Sequence, residues 1–228
     1  MIEAVIFDMD GLIVDSETPE YLAWRATYAT FGLRFPLASW RANIGRNDGP
    51  FDPLGPFRLE GGPGPPDAVV ALWRRHHAVL EQAYLRPLPG VVDLLEGLGR
   101  GGVRAGVASS SRIARVRGLL ATLGLASRFV AVAGGDEVAR GKPSPDVYLL
   151  AASRLGATPA SCVALEDSEN GVRAAKAAGM RCIAVPSALT RGLDFSAADL
   201  VVRSLTEVTA EMLATVGGLR GARRPPTR

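Results

Sequence analysis

Short, mostly apolar runs alternate along the chain with longer stretches in which apolar residues recur every three or four positions. The runs fall at 4–7, 103–108, 129–132, 162–165, 181–185 and 200–202, and they are rich in Val, Ile and Ala. Apolar runs without polar alternation are expected of strands buried on both faces of a parallel sheet. Helix-like stretches lie between them at 91–100, 112–123, 144–156 and 168–179. Gly101, Gly124, Gly156 and Gly179 stand where each would be capped. This rhythm predicts an open α/β sheet with helices on both faces.

The rhythm breaks once. Roughly 70 residues separate the first strand from the next strand–helix unit near Pro89, too many for an ordinary connecting loop, so an inserted domain is expected. It carries a helical pattern from about 19 to 31, with Tyr21, Trp24 and Tyr28 on one stripe, and another from about 67 to 85. The aromatic stripe reads as the insert's own core. The Gly- and Pro-rich stretch 49–66 between the two helices reads as loop.

Composition narrows the class. At 228 residues and 47% hydrophobic, the chain supports one sizeable core with a modest insert and is not a disordered sequence. No apolar run approaches the roughly 18–20 residues of a membrane span, and the first residues lack the basic start of a signal peptide. A cytoplasmic enzyme without membrane contact is the expectation. The net charge of +3 does not point to nucleic acid. Arg220, Arg223, Arg224 and Arg228 outweigh the whole surplus, so 217–228 reads as a flexible basic tail on a near-neutral body. Cys162 and Cys182 open apolar runs and read as buried structural thiols.

Four polar clusters interrupt the apolar pattern, three of them at strand exits. Asp8 and Asp10 follow the first strand; two acids at the end of a buried strand are costly unless a cation binds there. The Asp8 carboxylate and the Asp10 carbonyl could face one Mg²⁺. Ser109, Ser110 and Ser111 follow the second strand, where hydroxyls and backbone N–H groups make an anion cradle or a helix cap. Lys142, one of only two lysines, is held in GKPSPD ahead of a helix. Glu166 and Asp167 form a second acidic pair at a strand exit, with Ser168 placed to cap the next helix.

FDMDGLIVDSE, ASSS, GKPSPD and EDSENG, in this order and spacing, resemble the four motifs of the haloacid dehalogenase superfamily, and the match runs from Asp8 to about Leu205. The resemblance implies a Rossmann-like parallel-sheet core over 1–15 and 89–216 with a helical cap over 16–88, hinged near Asp15 and Leu88. It implies a Mg²⁺-dependent phosphatase acting on a small phosphorylated metabolite. Asp8 would be the nucleophile that becomes an aspartyl phosphate, and Asp10 the general acid and base. Ser109 and Ser110 would hold the phosphoryl oxygens and Lys142 would neutralise charge. Asp8, Asp10 and Asp167 would hold the metal, with Glu166 acting through water or through its neighbours. Family phosphonatases and dehalogenases lack the second acid, so phosphoryl transfer is the expected class. A monomer is expected where a cap must open and close.

The same subgroup contains β-phosphoglucomutases, which resemble YHxxAW after the first motif. Here Glu20 stands where that His would be, in TPEYLAW. The cap reads Ile44, Gly45, Arg46, Asn47, Asp48 rather than GxSR, and Arg112-Ile113 replaces Lys-Asn after the serines. These departures favour hydrolysis over the mutase. Arg46, Arg74 and Arg75 are candidates to meet an anionic substrate, and His76 and His77 read as a solvated face.

Overall fold

A computed structural model describes residues 2–46 and 49–218. Among them, six parallel strands form one sheet in the order β3-β2-β1-β4-β5-β6. These are β1 (Ala4–Phe7), β2 (Arg104–Ala108), β3 (Ala131–Ala133), β4 (Cys162–Glu166), β5 (Arg181–Ala184) and β6 (Leu200–Val201). The helices are α1 (Glu17–Thr30), α2 (Leu37–Asn43), α3 (Gly55–Arg58), α4 (Pro66–Tyr84), α5 (Val91–Arg100), α6 (Ile113–Thr122), α7 (Asp146–Leu155), α8 (Glu169–Ala177) and α9 (Ala210–Gly218).

Strand alternation decides which residues face which helices. Val5, Phe7, Val107, Val163 and Leu165 point into a core shared with α5, α6 and α9. Ala4, Ile6, Cys162 and Ala164 point into the opposite core, built with α7 and α8. With both faces buried, neither can be polar, which is why these strands read as continuous apolar runs. The third strand sits at Ala131–Ala133 rather than 129–132. Phe129 instead packs edge-on against Phe7, with ring centroids 5.6 Å apart.

The insert between β1 and β2 is helical and carries its own core of Trp24, Tyr28, Phe35, Trp40, Ile44, Phe57 and Val69, joined by Leu189. Trp24 stacks on Trp73 of α4 at 5.2 Å. The stretch 49–66 is not wholly loop, since it contains α3, and α4 begins at its end. His76 and His77 do not form a solvated face. Val69, Trp73 and His76 share the stripe that meets α1, and His76 Nδ1 lies 3.1 Å from Thr27 Oγ1. His77 packs on Trp73 and faces Glu81. Gly217 and Gly218 end α9, and the rest of the expected basic tail lies outside the described residues. No helix among the described residues is long and apolar enough to cross a membrane. Cys162 and Cys182 are both buried and free.

Candidate active site

Register assembles the site. Phe7 pairs with Val107 on one side and Leu165 on the other, so the next row across the sheet is Asp8, Ala108 and Glu166. Neighbouring strands lie about 4.8 Å apart, so the acidic pairs of β1 and β4 share one rim. This is the crevice where the order of connections reverses, β1 leading outward to β2 and β4 lying on its other side.

Asp8 and Glu166 have the parity of Ile6 and Ala164, so both side chains turn toward α7. Lys142, just ahead of α7, meets them there, with Nζ donating to Asp8 Oδ1 at 2.5 Å, Glu166 Oε1 at 2.6 Å and the Ala108 carbonyl at 3.0 Å. The ammonium is only 1% exposed and its three donors have three acceptors. Burial works against its charge, but Asp8 and Glu166 outweigh that penalty and raise its pKa. Glu166 Oε1 also accepts from Tyr148 at 2.7 Å, and Oε2 from the Ser168 N–H and hydroxyl at 3.2 and 3.1 Å. Glu166 is therefore committed to holding Lys142.

Asp10 sits in a ring of hydroxyls. Ser16 donates to Oδ1 at 2.5 Å, while Ser111 and Ser109 donate to Oδ2 at 2.7 and 3.2 Å. Hydroxyls accept as well as donate, so the same seat can hold this carboxyl with or without a proton. Ser16 begins α1 but does not cap it, because its hydroxyl is spent on Asp10. Asp15 takes over, accepting from the Thr18 N–H at 3.0 Å. Ser109 Oγ also accepts from the Ser111 N–H at 2.9 Å, which shapes the turn after β2. Ser168 caps α8 as its position suggested, accepting from the Gly171 N–H at 3.0 Å.

Ligand atoms of Asp8, Glu166 and Asp167 lie within 4.8 Å of one another. Burial pushes Asp8 up to about 8 although Lys142 pulls it down, and burial with repulsion from Asp8 and Glu166 pushes Asp167 up as well. One ammonium does not balance these acids. Asp167 Oδ2 is buried without a hydrogen-bond partner among the described residues. Gly11 approaches that carboxylate with φ +80°, and a Cβ there would run into it. Unspent carboxylate oxygen, surplus negative charge and an all-oxygen donor set fit a hard divalent cation held by Asp8 and Asp167.

Above the acids lies a cavity of about 310 Å³, the lower end for a small-molecule site. Asp8, Asp10, Ser110 and Ser111 form its floor, and the insert contributes Glu17, Glu20, Trp40 and Arg46 to its walls. Ser110 faces the insert, donating to the Gly45 carbonyl at 2.9 Å. Arg74 and Arg75 are exposed and do not line the cavity; Arg115 of α6 does. A larger groove of about 530 Å³ beside Ile2, α5 and α9 is mainly apolar and holds none of the acidic clusters. Sequence reasoning placed Ser111 in the turn after the second strand but not against Asp10, and it did not single out Ser16, Glu17, Arg115 or Tyr148. Serines 16 and 111 stood inside motifs already noticed, whereas Tyr148 and Arg115 carry no local signal.

Residues 2–179 match the haloacid dehalogenase-like hydrolase family. The chain is 38% identical to YhcW of Bacillus subtilis over 213 residues, 93% of this chain and 96% of that one. It is 35% identical to hexitol phosphatase B of Escherichia coli over 224 residues, covering 92% and 96% of the two chains. The β-phosphoglucomutase of Bacillus subtilis is 33% identical over 222 residues, covering 92% and 93%. Among solved structures, a mutant CbbY from Rhodobacter sphaeroides in complex with xylulose-(1,5)bisphosphate superposes with a TM-score of 0.72 at 34% identity, covering 91% of this chain and 96% of that one. With the parallel sheet, the helical insert and the four motifs at one rim, this chain belongs to the haloacid dehalogenase-like hydrolase family.

Proposed function

We propose that the protein is a Mg²⁺-dependent phosphatase of a sugar phosphate or similar small phosphorylated metabolite, working through an aspartyl phosphate on Asp8. The observation that carries this reading is the buried Asp8–Lys142 pair beside an Asp167 oxygen with no protein partner among the described residues. Phosphatase and mutase relatives point to phosphorylated sugars and sugar alcohols as the substrate class.

In the first step an Asp8 oxygen attacks phosphorus, the phosphorus–alkoxide bond breaks, and Asp10 gives its proton to the departing alkoxide. In the second, water attacks phosphorus, Asp10 takes the water's proton, and the bond to Asp8 breaks to release phosphate. Lys142 offsets charge as the two anions approach, and Ser109, Ser110 and the adjoining N–H groups support the phosphoryl oxygens. A Mg²⁺ held by Asp8, Asp167 and the Asp10 carbonyl would supply charge neutralisation and alignment of the phosphoryl group. Residues 16–88 serve as the cap and 1–15 with 89–216 as the core, and closure excludes water from the cavity.

Hydrolysis is favoured over the mutase because Glu20, at the cavity wall, takes the place of the mutases' His. The test is phosphate release from p-nitrophenyl phosphate and sugar phosphates with Mg²⁺, with EDTA and in Asp8→Asn. Mg²⁺-dependent release lost in the variant supports the reading. Interconversion of β-glucose 1-phosphate and glucose 6-phosphate without net release would replace it with the mutase.

A further inference from the structure

The wall of the cavity built on the first turn of α1 has a charge pattern the hydrolytic steps do not use. Glu17 and Glu20 lie on the first turn of α1, three residues apart, and both line the cavity. Burial raises the pKa of each; for Glu17, repulsion from Glu20, Asp10 and Asp8 adds to it. Against them stands Arg115, whose field is the strongest influence opposing the burial of Glu20. Arg115 also pairs with Glu81 of α4, Nη1 to Oε1 at 3.5 Å, and reaches Glu20 through its field. Arg46, the other arginine of the wall, has interactions of its own.

The rest of the wall suits a carbon chain bearing hydroxyls. Trp40 and Phe51 present apolar rings to the cavity, suited to the C–H face of a sugar or polyol. Trp40 Nε1 and Asn43 Oδ1 are buried with no partner among the described residues, a donor and an acceptor in one wall. Hydroxyls match that inventory, donating to carboxylates and accepting from a guanidinium or an indole. A second phosphate adds about −2 charge and only acceptors. It would bring that charge into a wall where burial and the neighbouring acids already oppose negative charge at Glu17 and Glu20, while Arg115 is shared with Glu81.

We propose that this cavity selects phosphate monoesters whose remaining chain ends in neutral hydroxyls and rejects esters carrying a second phosphate, with Glu20 and Arg115 as the specificity-determining pair. Glu20 accepts from a substrate hydroxyl while Arg115 donates to its neighbour, so the pair reads a diol as one unit. This inference rests on the phosphatase reading above.

The test compares kcat/KM at pH 8, above the Glu20 pKa of about 7, on matched pairs, fructose 1-phosphate against fructose 1,6-bisphosphate and xylulose 5-phosphate against xylulose 1,5-bisphosphate, with wild type, Glu20→Gln and Arg115→Ala. Wild type is expected to prefer the monoester of each pair by about tenfold or more. Glu20→Gln should narrow that preference below about threefold, through a higher KM for the monoester and a lower one for the bisphosphate. Arg115→Ala should raise KM for the monoester more than it lowers kcat. Because each preference is a ratio within one preparation, partial unfolding of a variant does not alter it. A wild type that turns over bisphosphates as well as monoesters, or a ratio unmoved by Glu20→Gln, would overturn the inference and leave the phosphatase reading standing. No phosphate release from any of these esters or from p-nitrophenyl phosphate would overturn both.

Discussion

Ser110 Oγ of the core donates to the carbonyl of Gly45 in the cap at 2.9 Å. Gly45 also presses on the opposite strand exit, where a Cβ would run into Ser168. The turns after β2 and β4 therefore hold one residue of the insert between them, and Asn170 adds a third contact, Nδ2 donating to the Ile44 carbonyl at 2.9 Å. With φ +79°, Gly45 adopts a backbone that side chains rarely tolerate. Gly45→Ala is expected to hold the cap away from the core and lower kcat/KM for a sugar phosphate by up to about 10²-fold. Asn170→Ala, which removes a hydrogen bond worth about 1 kcal/mol, should raise KM roughly fivefold. Steady-state kinetics on both variants check this; an unchanged kcat/KM in Gly45→Ala would mean these contacts do not control closure.

The Asp8–Lys142 pair predicts a non-additive stability effect. Lys142→Met leaves Asp8 and Glu166 buried without their cation, a change expected to cost about 3–5 kcal/mol in chemical denaturation. Asp8→Asn removes the proposed nucleophile yet also removes one of those charges. The double variant should therefore be more stable than the sum of the two single losses implies, by about 1 kcal/mol or more. Additive losses would show that the two groups do not act as one buried unit.

The fold was legible because strand burial on both faces leaves an unmistakable apolar run, and β1, β2, β4 and β5 lie within a residue of their expected places. The meeting of the rim acids with Lys142 was legible because a charge at the end of a buried strand is costly unless an opposite charge meets it there. Tyr148 was not, since its hydroxyl reaches Glu166 only through the packing of α7 on the sheet. Arg115 was hidden among many arginines, and only the docking of α6 beside α4 singles it out. His76 could have been placed by its spacing from Val69 and Trp73, but neighbouring arginines made that face look solvated.

Gly11 offers a test of the proposed cation site separate from Asp8. Its positive φ and its approach to Asp167 leave no room for a side chain. Gly11→Ala should displace the Asp167 carboxylate and raise the Mg²⁺ concentration for half-maximal activity by about tenfold or more. Isothermal titration with Mg²⁺ should show the same weakening without substrate. Unchanged Mg²⁺ affinity would mean that Asp167 is not a ligand.

Away from the site, an ion pair ties stability to pH. Glu137 accepts from Arg154 through both oxygens at 2.9 Å, and Oε2 also accepts from the Gly134 N–H at 2.9 Å. The Arg154 bonds, aided by that backbone N–H and opposed by partial burial, hold the Glu137 pKa down to about 2, below its ordinary 4.5. A carboxyl with a depressed folded-state pKa stabilises the fold above its unfolded value and loses that contribution as pH falls through the folded one. The pair is partly exposed, with side-chain accessibilities of 35% and 23%, so solvent screening limits it to about 1 kcal/mol. Glu137→Gln should therefore be less stable than wild type by about 1 kcal/mol at pH 7, and the gap should shrink by roughly half on going to pH 3. Urea denaturation of both proteins at pH 7, 5 and 3 measures it. A gap that stays constant down to pH 3 would mean that the interaction does not depend on the charge of Glu137.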